Sequence, residues 1–277
     1  MELKRSKYIE KQLLGLGKTS RAQLAAVLRQ SNGTVSPATA AQALSLSSTA
    51  AAKLLSAWTT QGWMQRVKRG IYVPIALESE TSDAALEDSW VIAEAAFAPC
   101  YISGWSAAEH WGLTEQVFRT VVVSTVRRPR DRDPTLGGIS FRLRTVNEKE
   151  LFGLKTIWRS RMRVNVSDPS RTMVDLMSDP SLGGGLRSAV DMLQNYLASA
   201  EHRDIGKLIA YTQTIGVGSV FKRIGFLLAR YAPEEHKAIE LCAQSLTKGY
   251  TQLDPATPGT KFDANWRLAM PPSWKQP

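Results

Sequence analysis

Apolar residues recur three and four positions apart through most of the first sixty residues, and the stripes they trace are separated by capping signals. Leu3, Tyr8, Ile9, Leu13, Leu14 and Leu16 form one helical stripe, closed by Gly15 and Gly17. Ser20 is placed to cap a second helix with Leu24, Val27 and Leu28 facing inward. Ser36 followed by Pro37 reads as an N-cap with proline at the first helical position, opening a helix that runs to about Leu44. Ser45-Leu46-Ser47 is then the turn, and Ser47 or Ser48 caps the next helix, which reaches Gln61. Leu54, Leu55 and Trp58 are its buried stripe, while Thr49, Ala52, Lys53 and Ser56 fall on the opposite face. After Gly62 the period changes. Residues 63–67 and 71–75 read as two short strands joined at Lys68-Arg69-Gly70, where Gly70 can take the positive φ of a tight hairpin.

Helix, short turn, helix and hairpin, in that order, predict a winged helix-turn-helix over residues 1–76. Its second helix is slim near the start, being rich in Ala and Ser, and would enter a major groove. The expected DNA contacts are Ser48, Thr49, Ala52, Lys53 and Ser56 on that helix and Arg66, Lys68 and Arg69 on the wing. Lys53 would donate to a guanine edge and Ala52 would meet a thymine methyl, with Ser48 and Thr49 on phosphate or base near the positive helix end. The competing reading is a small helical domain with an ordinary basic turn.

Residues 77–89, "LESETSDAALEDS", are acidic and form the expected linker, ahead of a second domain over 90–277. A helix is expected over Ala84–Phe97 and a short one over Ser106–Trp111, ended by Gly112. Three β-rich runs follow, Thr120–Val126, Ile139–Val146 and Lys155–Val166. Asp168 caps a further helix with Pro169 at its first position, and helical patterns continue at 183–200, 204–215, 218–231 and 234–247. A strand is expected at Trp266–Met270. The predicted class is α+β, with central strands and a helical C-terminal half.

Charge sharpens this picture. Of the net +10, residues 1–76 carry +9, from eleven Lys/Arg against two acids, and residues 77–277 carry +1. So one-sided a segment suits a polyanion partner, or else a solubilising positive face. A second concentration, net +8, lies between Arg119 and Arg163. Arg127, Arg128 and Arg130 sit in its loop. Alternation puts Arg142 with Arg144 on one strand face and Arg159, Arg161 and Arg163 on another, which adjacent strands would merge. That patch would meet DNA, RNA or an acidic protein, or be a solvated face. No apolar run approaches the roughly 18–20 residues of a membrane span, and no signal-peptide core opens the chain. Two distant cysteines, Cys100 and Cys242, suit a reducing compartment, so the expected location is cytoplasmic.

Signals for catalysis are missing. His110, His202 and His236 have no second ligand at metal spacing, so neither metal nor cofactor is expected. Gly183-Gly184-Gly185 lacks the Lys-Ser/Thr of a phosphate loop and reads as a helix start. Arg171 and Asp175 read as an intrahelical pair. Asp131, Asp133, Glu148 and Glu150 do not form the carboxylate cluster of a nuclease. The chain is expected not to be an enzyme.

Four pieces taken together, "RVKRGIYVP", "YISGWSAAEHWGL", "VSDPSRTMVDLM" and "GVGSVFKRIGFLLARY", give the whole chain a resemblance to the AbiEi family of antitoxins from type IV toxin–antitoxin and abortive phage-infection systems. The resemblance implies a repressor that binds inverted repeats in duplex DNA upstream of its own operon. It also implies a nucleotidyltransferase-like toxin as functional partner, with no direct contact required. The alternatives are a free-standing, ligand-responsive winged-helix regulator and a nucleic-acid-processing enzyme.

Overall fold

The computed structural model describes residues 17–31, 33–75, 89–159 and 162–274. The expected helix over residues 3–16 and most of the acidic linker lie outside these. Along the chain run α1 (Lys18–Gln30), α2 (Pro37–Leu44), α3 (Ser48–Thr60), β1 (Met64–Lys68), β2 (Ile71–Pro74), α4 (Ser89–Phe97), β3 (Cys100–Ile102), α5 (Gly104–His110) and β4 (Thr120–Thr125). Then come β5 (Thr135–Leu136), β6 (Ile139–Thr145), β7 (Leu154–Arg159), β8 (Met162–Ser167), α6 (Pro169–Ser178), α7 (Leu186–Ala198), α8 (Ile205–Ile215), α9 (Gly218–Tyr231) and α10 (His236–Gln244). Three short strands close the chain: β9 (Thr251–Gln252), β10 (Lys261–Asp263) and β11 (Leu268–Met270). The class is α+β, as expected. The sheets are the β1-β2 hairpin, a six-stranded sheet in the order β5-β6-β4-β3-β8-β7, and a three-stranded sheet β10-β11-β9.

Two compact units divide the chain. One holds residues 1–98, 133–141 and 157–164; the other holds 99–132, 142–156 and 165–277. Residues 90–98 thus group with the N-terminal elements, whereas the sequence reading placed them after the linker, at the start of the second domain.

In the first unit, Leu24 and Val27 of α1, Ala40 of α2, Ala51, Leu55 and Trp58 of α3, and Trp63, Met64 and Tyr72 of the hairpin share one core. Local chemistry fixes the ends of these helices. Ser36 Oγ accepts from Thr39 N–H at 3.0 Å, and Ser47 Oγ accepts from Ala50 N–H at 3.2 Å. Such caps stabilise a helix by about 1 kcal/mol each. Ser45 takes the left-handed conformation at φ 53°, which turns the chain between α2 and α3. One expectation is corrected here. Ser20 lies inside the first turn of α1, because the helix starts earlier, with Gly17 at the cap position.

In the second unit, a larger core gathers α5 to α10 with β4 and β11. Asp168 caps α6 through Arg171 N–H at 2.8 Å, and Pro169 opens that helix as expected. Cys100 and Ile102 of β3 pair antiparallel with Thr125 and Val123 of β4, and Ile102 pairs parallel with Val166 of β8. Gly104 sits at φ +55°, and a Cβ there would meet the Leu182 carbonyl oxygen at 2.5 Å. The single run expected over Lys155–Val166 is two strands, β7 and β8.

Candidate nucleic-acid interface

Between Gly17 and Ile75 the chain contains seven Lys/Arg and no Asp or Glu. Nothing in this stretch offsets its positive charge, so a polyanion meets no like-charge penalty there. Helix α3 turns Ala51, Leu55 and Trp58 into the core and leaves Ser48, Thr49, Lys53 and Ser56 exposed, with Ala52 half-buried beside them. Thr49, Lys53 and Ser56 therefore lie on the side of α3 away from its core, with Ala52 on its flank, whereas Ser48 is in line with Ala51 and Leu55 and is exposed at the N-terminal end of the helix. Only Ser47, outside that set, is spent on capping. The N-terminal turn of α3 carries no acid, so the positive end of its dipole is uncancelled.

The hairpin beside it is built by register. Gln65 pairs with Val73, Arg66 with Tyr72, and Lys68 with Ile71, so Val67 is an extra residue opposite no partner. This bulge buries Val67 and leaves Arg66, Lys68 and Arg69 exposed. Arg69-Gly70 is the two-residue turn, with Gly70 at φ +79° and open space where a Cβ would stand. Val35 exchanges both backbone hydrogen bonds with Tyr72, at 2.7 and 2.9 Å, which ties the segment before α2 to the wing as a third, single-residue rung.

Two features escaped the sequence. Lys68 Nζ reaches the Ala96 carbonyl at 3.5 Å and lies 5.9 Å from the centre of the Phe97 ring, so this wing cation leans on α4. Lys18, Arg21 and Arg29 of α1 are exposed and add to the same acid-free stretch. The charge count contained them, but no motif singles them out.

The second basic patch is spread out. Arg127, Arg128 and Arg130 are exposed in the loop after β4. Arg161 lies outside the described residues. Arg159 and Arg163 stand on two different strands instead of one, with Arg159 4.7 Å from the Trp90 ring and Arg163 4.9 Å from the exposed Trp158 ring. Arg142 lies 5.5 Å from the Trp105 ring, and Arg144 pairs with Asp175 at 3.0 Å. Strands β4 and β3 stand between β6 and β8 in the sheet, so the two arginine pairs are not on adjacent strands.

Within the second unit, three of the quoted sequence pieces interlock. Tyr101 donates to Asp175 at 3.1 Å, and Arg171 Nη2 donates to Tyr101 Oη at 2.9 Å. Burial, then the Asp175 charge, pushes the Tyr101 pKa well above its ordinary value. Trp111 Nε1 donates to the Ser167 carbonyl at 2.7 Å. Arg223, nearly closed to solvent, donates to the carbonyls of Met177, Ser178, Gln252 and Leu253. Burial lowers its pKa, and neighbouring Lys222 is lowered for the same first reason. These are packing roles. Among the described residues no group of three or more His, Cys, Asp or Glu is placed to hold a metal, and no helix is long and apolar enough to cross a membrane.

No curated protein matches the chain. Among solved structures, the crystal structure of the RV2827C protein from Mycobacterium tuberculosis is similar, with a TM-score of 0.64 at 15% identity over 95% of this chain and 94% of that one. At that identity the likeness is one of fold. The stretch from within α1 to the end of the wing, residues 22–75, matches the AbiEi_4 family, described as transcriptional regulator, AbiEi antitoxin, in agreement with the resemblance read from the sequence.

Proposed function

We propose that the chain is a DNA-binding antitoxin of a type IV toxin–antitoxin system, which represses its own operon and neutralises a nucleotidyltransferase-like toxin. The observation that carries this reading is the exposed Thr49, Lys53 and Ser56 face of α3 beside the basic wing, within the segment that matches AbiEi antitoxin regulators. The division of labour follows from chemistry. Side chains on α3 read base edges, and the wing arginines hold phosphates and set register. The protein acts without catalysis, metal or cofactor, in the cytoplasm, and neutralisation proceeds without an obligatory contact with the toxin.

The test pairs two assays on the full chain. A reporter driven by the promoter upstream of the gene should fall silent when the chain is expressed, with protection over an inverted repeat. Co-expression should restore growth to cells making the neighbouring toxin. A repressed promoter without growth rescue would support a free-standing regulator. An active promoter and unprotected DNA would refute the operator-binding reading itself.

A further inference from the structure

Helix α7 presents Leu186, Arg187 and Asp191 to a cleft of about 420 Å³, within the range of small-molecule sites of roughly 300–1,000 Å³. The remaining walls include Tyr231 at the end of α9, Asp254 and Trp274, all of the second unit. The aromatic wall is firmly held. Arg230 lies 5.6 Å from the Tyr231 ring and 5.7 Å from the Trp274 ring, and Phe226 is 5.8 Å from Trp274.

The polar groups of the cleft are unspent. Trp274 Nε1 is shut away from solvent with no hydrogen-bond partner among the described residues. A buried donor left so has given up its water without gaining an acceptor. Arg187 and Asp191 stand one turn apart on α7, yet neither side chain has a hydrogen-bond or ion-pair partner among the described residues. The Asp254 carboxylate accepts one bond, from Ala256 N–H at 2.9 Å, and keeps the rest of its lone pairs.

We infer that this cleft takes a free α-amino acid with an apolar or aromatic side chain. An ammonium group offers three donors to Asp191 and Asp254. The carboxylate offers acceptors to the Arg187 guanidinium, a charge-assisted bond of the strong kind, and to the Trp274 indole N–H once the ring turns that closed-off donor toward the cleft. The side chain is left for Leu186 and Tyr231. A simple amine would leave Arg187 and Trp274 unused, and a simple carboxylate would face two like charges. A zwitterion uses both sets. The inference stands apart from operator recognition, since it concerns other residues and is read without DNA.

The experiment is isothermal titration of the full chain, free of DNA, with L-leucine and L-phenylalanine. Saturable binding of one of them is expected. N-acetyl-L-phenylalanine and L-phenylalanine amide, each lacking one charge of the zwitterion, should bind at least tenfold more weakly than L-phenylalanine. Asp191→Asn and Arg187→Gln, both at exposed positions and checked for native melting, should each weaken the bound amino acid at least tenfold. Trp274→Phe should weaken it severalfold. Absence of saturable binding at millimolar ligand by natively melting protein would overturn the inference. So would equal binding of the N-acetylated or amidated compound, or binding unchanged in Asp191→Asn.

Discussion

Arg171 Nε stands 3.2 Å from Asp175 Oδ1, one helical turn along α6, with both side chains fully closed to solvent. Arg144 reaches the same oxygen at 3.0 Å. Removing one partner of such a pair strands a charge in a low-dielectric interior, which destabilises by about 3–5 kcal/mol. Asp175→Ala should lose about that much in urea melts. Asp175→Leu combined with Arg171→Leu should lose less than the sum of the two single changes. Additive losses would mean that the two residues are not coupled.

Lys53 projects from the exposed side of α3, opposite Leu55 and Trp58. If it meets a guanine edge, Lys53→Ala lowers operator affinity by about 1–3 kcal/mol and changes affinity for random duplex much less. Competitive gel shifts measure both. Equal losses on the two DNAs would place Lys53 on phosphate.

The wing behaves differently. Arg66 and Arg69 are exposed, whereas Lys68 leans on Ala96 and Phe97. Arg66→Ala with Arg69→Ala should weaken specific and random binding alike. It should also flatten the log–log salt dependence by about 0.9 for each phosphate left without its cation. Lys68→Ala should change that slope less than Arg69→Ala does. A loss confined to the operator would show that the wing reads bases.

Alkaline pH has a defined effect through Tyr211. Burial first, then the hydrogen bond it donates to Asp168 and that residue's charge, push its pKa from 10.0 up to about 12. Because the folded value is raised, the neutral phenol favours folding. Its contribution is intact below pH 10 and is lost as the pH climbs to about 12. Tyr101 and Tyr196 shift in the same direction, each chiefly through burial. Urea midpoints should therefore fall across this window, and the fall should be shallower in Tyr211→Phe. An identical slope in the variant would remove Tyr211 from the account.

The winged helix-turn-helix elements were readable because their signals are local. Ser36-Pro37, Ser47 and Gly70 each act within three residues of themselves, and one apolar stripe per helix suffices to orient α3. Other features depend on distant chain. Cys100–Ile102 is buried at every position and too short to show alternation, so β3 passed unseen. The run across β7 and β8 contains no Gly or Pro to mark its break. Nothing local marks Lys222 and Arg223, whose side chains reach the carbonyls of Gly249 and Gln252, 27 and 29 positions away. The lean of Lys68 on α4 was hidden for the same reason, since Ala96 follows it by 28 positions. Charge counting found where the basic residues concentrate, but only the fold shows which of them already have partners.

The acid-free stretch from Gly17 to Ile75 also lacks histidine and cysteine. It therefore contains no carboxylate, imidazole or thiol, the side chains that ordinarily take up or release protons between about pH 4 and pH 9. Its charge is buffered against acidity by composition alone. Acidification that would rewrite the electrostatics of most domains leaves this stretch as it was, and its attraction for phosphate keeps the same strength from an acid-stressed cell to a neutral one.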